Sequence, residues 1–217
     1  MKLYPVRKLH LDGFFPMNCY VLERNNKCFI IDPGYQKETI QAYIKREKLE
    51  VIGILLTHAH IDHIEALDCF NVPVYLHEEE VEILLNDNLN GFGYFKKQKA
   101  YDINKIEVVP INESSIVELE GHEISVIFTP GHTKGGVCYK IGHDIYTGDT
   151  LFEGSVGKWD RPTANLEHLK ESVLKLIDKQ PEHMLIHPGH GSSSTIGTEK
   201  RFNPFYAEWK QEQLINI

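Results

Sequence analysis

Four residues able to bind a metal ion fall within six positions in the stretch His58-Ala59-His60-Ile61-Asp62-His63. Imidazole nitrogens beside a carboxylate suit zinc, and also iron or manganese, whereas calcium or magnesium asks for oxygen ligands almost throughout. A single ion cannot readily take four ligands from so short a loop, so the spacing suggests two adjacent metals. The bland alternative is a group of surface histidines near a turn. Three more loops of matching format, further along the chain, argue against it.

The elements that must hold these residues can be read from the flanking sequence. Val51-Ile52-Gly53-Ile54-Leu55-Leu56 is a continuous apolar run of the length and branching expected of a strand buried on both faces, so the ligands sit where a rigid strand gives way to loop. The same format recurs three times. Ser125-Val126-Ile127-Phe128 runs into Thr129-Pro130-Gly131-His132-Thr133, Asp144-Ile145-Tyr146 into Thr147-Gly148-Asp149-Thr150, and His183-Met184-Leu185-Ile186 into His187-Pro188-Gly189-His190-Gly191. Each strand end offers a candidate, His132, Asp149 or His190, beside a glycine that lets the backbone turn tightly and pass close to a metal or substrate. His187 competes with His190 by proximity.

Upstream, Asn18 to Glu23 and Cys28 to Asp32 read as strands joined across Asn25-Asn26 in a hairpin. Asp32 ends the second strand, either as a turn residue or as a carboxylate behind the ligands. Gln36 to Lys48 has helical spacing, Ile64 to Phe70 predicts a short helix, and Val72 to Leu76 a strand. Glu78 to Leu85 predicts a helix whose glutamates complement the dipole of its first turn. Asn86 to Asn104 breaks the pattern. Its Gly91-Phe92-Gly93-Tyr94-Phe95, followed by Lys96, Lys97 and Lys99, reads as a long loop, with residues 91–101 either a lid whose aromatics cover the site or a surface connection with solvated lysines. Strands resume over Ile106 to Ile111, Ser115 to Leu119 and Glu123 to Phe128. Asn165 to Lys179 is an amphipathic helix, and the chain ends in a helix carrying Tyr206 and Trp209. No repeat or composition shift divides the chain, so residues 1–217 are expected to form one domain.

The chain has 217 residues, 41% of them hydrophobic, which is enough for a sizeable core. A formal net charge of -8 argues against a nucleic-acid or polybasic membrane surface. Met1 to Arg7 holds no apolar leader and no run reaches bilayer-spanning length, so a cytoplasmic protein is expected. Cys19, Cys28, Cys69 and Cys138 are widely spaced and predict buried free thiols. His10, His77, His122, His143, His168 and His183 lie away from the motifs and read as packing or exposed residues. Ser192, Ser193 and Ser194 lack a glycine-framed elbow and read as turn residues.

Taken in order, Thr57-His58-Ala59-His60-Ile61-Asp62-His63, Pro130-Gly131-His132-Thr133, Thr147-Gly148-Asp149-Thr150 and Pro188-Gly189-His190-Gly191 resemble the metallo-β-lactamase fold superfamily, and within it the glyoxalase II-like hydrolases. The resemblance runs from Asn18-Cys19-Tyr20 to Asn203-Pro204-Phe205. It implies an α/β protein built as a four-layer αββα sandwich, with a dinuclear centre at the strand ends. Carried over residue by residue, it makes His58, His60 and His132 the ligands of one metal and Asp62, His63 and His190 those of the other, bridged by Asp149. Two divalent cations are implied, zinc first and iron or manganese as alternatives, with Asp62 and Asp149 acting in catalysis. An aspartate at 149, where the true β-lactamases carry cysteine, turns the expectation toward a small-molecule thioester as substrate, with neither nucleic acid nor membrane as partner.

Measured against the glyoxalase II enzymes it resembles, the chain is expected to be too short for their helical extension, and it carries Lys158 where many relatives have arginine. The chemistry implied is attack on the thioester carbon by hydroxide formed between two cations, which also stabilise the oxyanion. A thiolate then leaves without a strong general acid. One rival is a mononuclear iron persulfide dioxygenase using a triad such as His58, His132 and Asp149, kept open by the loop Gly157 to Asp160. The other is a non-catalytic or nucleic-acid-binding relative, against which the intact ligand set and the acidic charge both count.

Overall fold

The structure is a computed structural model that describes residues 6–99 and 101–215. The reading of Met1 to Arg7 as free of an apolar leader therefore falls outside the described residues as far as Pro5, as does Ala100 of the candidate lid. The first sheet contains β1 (Val6–Leu11), β2 (Met17–Arg24), β3 (Lys27–Ile31), β4 (Glu50–Leu55), β5 (Val74–His77) and β6 (Val108–Ile111), hydrogen-bonded in that order. β1 to β3 run antiparallel and β3 to β6 parallel. The β2–β3 hairpin turns on Asn25 and Asn26, whose φ of 49° and 63° are the left-handed pair that a two-residue turn needs to match strand twist.

The second sheet takes β7 (Val117–Leu119), β8 (His122–Phe128), β9 (Val137–Ile141) and β10 (Asp144–Gly148) as an antiparallel run. After a small hairpin of β11 (Leu151–Phe152) and β12 (Ser155–Val156), β13 (Leu185–Pro188) joins parallel to β10, and β14 (Ser194–Thr195) closes the edge.

The alternation of side chains along each strand assigns the layers. Tyr20, Leu22, Phe29 and Ile31 face between the sheets and pack with Val126, Val137 and Tyr139. Their neighbours Cys19, Val21, Cys28 and Ile30 face outward with α1 (Lys37–Glu47), which contributes Ile40, Tyr43 and Ile44. On the far side, Cys138, Ile145 and Ile186 lie with Leu169, Val173 and Ile177, which α5 (Leu166–Lys179) delivers; this is the expected αββα order. All four cysteines are free and buried. Among the described residues, no helix is long and apolar enough to cross a membrane.

Several elements differ from the sequence reading. The helix expected over Ile64 to Phe70 is instead α2 (Ile61–Ile64) and a separate 3-10 turn at Leu67–Cys69, because the metal motif itself forms the helical turn and buries Asp62 and His63. Glu78–Glu80 is a 3-10 turn ahead of a short α3 (Val81–Leu85), and the segment read as loop contains α4 (Asp87–Asn90). β9, which follows directly on Gly135 and Gly136, had no counterpart in the sequence reading. The tail holds an additional helix, α6 (Ile196–Phe202), before α7 (Pro204–Ile215); Thr195 caps α6 by accepting the Thr198 N–H at 3.0 Å.

Candidate metal centre

β4, β8, β10 and β13 deliver their C-terminal loops to one end of the sandwich, and all seven candidate ligands meet there. They form three overlapping groups, His58–His60–His132, His58–His63–Asp149 and Asp62–His63–His190, in each of which the ligating atoms lie within 4.8 Å of one another. Asp149 stands between the groups. Its Oδ1 is 3.4 Å from His63 Nε2, while its Oδ2 is 3.4 Å from His190 Nε2 and 3.7 Å from His132 Nε2. Asp62 Oδ2 approaches His190 Nε2 at 3.2 Å, and His60 Nδ1 approaches His132 Nε2 at 2.9 Å.

The nitrogens pointing away from this space are held. Asp32 Oδ1 accepts the Thr57 N–H at 2.8 Å, and its Oδ2 accepts the Thr57 hydroxyl at 2.7 Å and the His63 Nδ1–H at 2.9 Å. Because the Thr57 hydroxyl donates to Asp32, its oxygen receives the proton of His58 Nδ1, 3.1 Å away. His132 Nδ1 donates to the Lys158 carbonyl and His190 Nδ1 to the Pro16 carbonyl, each at 2.8 Å. These bonds select the tautomer that leaves Nε2 unprotonated and turned inward. Asp32 is thus both the turn residue, at φ 52°, and the carboxylate behind the ligands.

A metal pair fits this donor set. Buried His58 Nε2 has no hydrogen-bond partner, and His63 Nε2 and Asp149 Oδ1 have only each other, at 3.4 Å, a costly condition for three polar atoms of one group unless a cation takes their lone pairs. Five imidazoles with two carboxylates match zinc, iron or manganese. The backbone runs hard against the ligands. A Cβ on Gly189 would lie 2.5 Å from Asp149 Oδ1 and 2.6 Å from His63 Cε1, and one on Gly157 only 1.8 Å from the Asp149 carbonyl oxygen.

Residues 12–190 match the family model of the metallo-beta-lactamase superfamily. The chain belongs to this superfamily. It is 37% identical over 205 residues to a probable metallo-hydrolase, YqgX, of Bacillus subtilis, covering 89% of this chain and 93% of that one. It is 31% identical to the hydroxyacylglutathione hydrolase GloC of Haemophilus influenzae, covering 88% and 93%. Among solved structures it is similar to the BLEG-1 B3 metallo-beta-lactamase, with TM-score 0.83, 33% identity, and 93% and 99% of the two chains covered. TTHA1623 in a di-iron-bound form has TM-score 0.79, 33% identity and coverage of 92% and 99%. ETHE1 from Myxococcus xanthus, with TM-score 0.73, 23% identity and coverage of 92% and 83%, shares the fold.

The charge distribution of this superfamily centre divides its histidines. Burial lowers His58 and His132, and with His132 as neighbour it takes His60 down to about 3, so these imidazoles stay neutral and keep lone pairs for a cation. Burial also opposes charge on His63 and His190, but Asp149 acting together with a second carboxylate outweighs it for both, so a cation at this centre would take the place of a proton on their Nε2. Asp32 adds to the rise of His63, and Asp62 to that of His190, which reaches about 10. Burial opposes ionisation of Asp149 and Asp62 in turn, and the histidines beside them overcome it and hold both below the usual carboxylate range.

Of the two histidines flanking Pro188, only His190 reaches the centre. His187 is buried behind it, 2.7 Å from Asp144 Oδ1 and 3.1 Å from Ser193 Oγ. A cleft of about 690 Å³ opens onto His60, His132, Asp149 and His190, with Phe15, Tyr94, Phe95, Phe152, Lys158 and Arg161 in its wall. Tyr94 and Phe95 come from the candidate lid. Two of the three lid lysines are neutralised by carboxylates, Lys97 by Glu65 at 2.6 Å and Lys99 by Asp87 at 2.5 Å. Phe15 and Phe152 went unread in the sequence, for neither carries a motif; Arg161 belongs to the loop Gly157 to Arg161, which the sequence left either to touch a substrate group or to pack. The loop at Gly157 to Arg161 does two things: the Lys158 carbonyl orients His132, and the side chains of Lys158 and Arg161 border the cleft.

Proposed function

We propose that the protein is a metal-dependent thioester hydrolase of the glyoxalase II-like kind, working in the cytoplasm on a small-molecule thioester. The observation that carries this reading is Asp149, a carboxylate that stands within 3.7 Å of His132 in one histidine group and 3.4 Å of both His63 and His190 in the other. The relative named a hydroxyacylglutathione hydrolase supports it. In this reading His58, His60 and His132 hold one divalent cation, Asp62, His63 and His190 a second, and Asp149 both, with zinc the expected metal. Such a pair, when bound, supplies hydroxide at neutral pH and a Lewis acid for the carbonyl oxygen.

The chain's own residues do the rest. Asp62 and Asp149 offset the charge that would otherwise drive two cations apart. Asp32, Thr57 and the carbonyls of Lys158 and Pro16 keep the imidazoles in the ligating tautomer. Phe15, Tyr94, Phe95 and Phe152 form an apolar wall that sheds water from the bound acyl thioester, and Lys158 and Arg161 add positive charge at the same cleft. The net charge of -8 and the paired lid lysines support a small molecule over a nucleic acid as substrate. The alternative persulfide dioxygenase uses a single iron, and the complete Asp62–His63–His190 group speaks for the hydrolase instead.

The test is thiol release from S-lactoyl and other small acyl thioesters by zinc-loaded protein under nitrogen, beside His60→Ala and Asp149→Ala. Release that disappears in both variants is expected. No release from any thioester, with oxygen uptake on adding a persulfide to iron-loaded protein, would replace this reading with the dioxygenase.

A further inference from the structure

The glutamates of Glu78-Glu79-Glu80 read from sequence as charges that complement a helix start, but Glu80 is fully buried. Its Oε2 accepts the Ala59 N–H at 2.8 Å and its Oε1 the Gly135 N–H at 2.9 Å. Ala59 stands between His58 and His60, and Gly135 lies in the loop that begins with His132. One carboxylate therefore ties together the two loops that carry the whole His58–His60–His132 group, and touches nothing of Asp62, His63 or His190.

A second observation locates the loop independently. A Cβ on Gly135 would meet the Glu80 backbone nitrogen at 2.7 Å and the Glu79 carbonyl carbon at 2.8 Å, so the loop after His132 rests directly on the Glu79–Glu80 turn. Lys134, between them, pairs with Glu82 at the surface. Burying a carboxylate is costly, and ordinary packing would be served by an apolar side chain of similar size. Two hydrogen bonds accepted from backbone N–H groups on separate loops supply what an apolar side chain cannot: a fixed distance between those loops.

We propose that Glu80 is a positioning residue for the His58–His60–His132 group, and that it sets the metal affinity of this group separately from that of Asp62–His63–His190. The inference rests on the metal-binding reading of the centre. Glu80 acts through the backbone at Ala59 and Gly135, fixing the separation of His60 and His132 before any ion arrives.

The experiment measures zinc affinity against a competing chelator in two backgrounds. His190→Ala leaves the group tied by Glu80 as the intact one, and His60→Ala leaves the other. Into each is placed Glu80→Gln, which keeps the shape but turns an amide N–H toward one of the two backbone donors. The expected result is a loss on the order of 10- to 100-fold in the His190→Ala background, as for other residues that orient metal ligands, and no change in the His60→Ala background. Equal loss in both, or loss in neither, overturns the proposal. Failure of the underlying metal reading looks different: the unsubstituted protein itself then takes up no zinc.

If Glu80→Gln does not fold, amide hydrogen exchange on the unsubstituted protein decides. The Ala59 and Gly135 amides are expected to be protected in metal-free and zinc-loaded protein alike. Protection that appears only with zinc would mean that the metal orders the loops, and would overturn the proposal.

Discussion

Asp32 and His63 are 31 residues apart in the chain and 2.9 Å apart in the fold, Oδ2 to Nδ1. The same carboxylate binds the backbone and hydroxyl of Thr57, so one buried side chain fixes the tautomer of His63 directly and that of His58 through Thr57. In Asp32→Asn one oxygen becomes an NH₂ group. With its remaining oxygen on the Thr57 N–H, the amide presents a donor to His63 Nδ1 and drives the proton to Nε2, the nitrogen that faces the centre. Zinc affinity is expected to fall on the order of 10- to 100-fold, read by chelator competition. Unchanged affinity would mean that Asp32 serves only the turn.

Gly189 offers a steric counterpart. An added methyl group would sit 2.5 Å from Asp149 Oδ1, closer than real Cβ atoms come, and against the His63 ring. Gly189→Ala is expected to destabilise the fold by about 1–3 kcal/mol and to displace Asp149. Urea unfolding and metal content measured together check both parts; full metal content at unaltered stability would refute the close approach.

Phe95 packs its ring 5.2 Å from that of Phe14 and 5.7 Å from that of Phe15 across the cleft mouth. Phe95→Ala removes this wall and leaves the ligands untouched. The apolar surface lost to a substrate in the cleft corresponds to about 1 kcal/mol, so KM for an acyl thioester is expected to rise about fivefold with kcat retained. A fall in kcat at constant KM would place Phe95 in the chemical step instead.

Glu80 also makes stability depend on pH. Burial raises its carboxyl from the ordinary 4.5 to about 7, against the opposing pull of Thr133 and of the Ala59 and Gly135 amides. The folded state thus holds this proton more tightly than the unfolded chain, so the contribution is complete below pH 4.5 and is lost as pH rises through about 7. Relative to Glu80→Gln, metal-free protein is expected to lose stability on the order of 3 kcal/mol across that window, measured by urea unfolding at successive pH values. A parallel pH profile in the two proteins would contradict this.

The candidate ligands were legible in the sequence because metal-binding residues announce themselves by type and by position after apolar runs. The β2–β3 hairpin was legible for a similar local reason, two asparagines that tolerate positive φ. Glu80 was not. Its partners lie 21 and 55 residues away, and nothing in Glu-Glu-Glu says which glutamate turns inward. Phe15, Phe152 and Arg161 share a wall only because segments remote in the chain close on one cleft.

The amino-acid sequence by itself therefore determined the chemistry of the site: imidazoles and carboxylates, at strand ends, in numbers suited to two cations. It did so because ligand chemistry and strand periodicity are properties of nearby residues. Only the tertiary structure decided which histidine near Pro188 belongs to the centre, since the parallel pairing of β10 with β13 brings His187 to Asp144, and the turn at Gly189 swings His190 toward Asp62. It likewise decided the work of Asp32 and Glu80, whose hydrogen bonds exist only once sheet pairing has brought remote backbone within 3 Å.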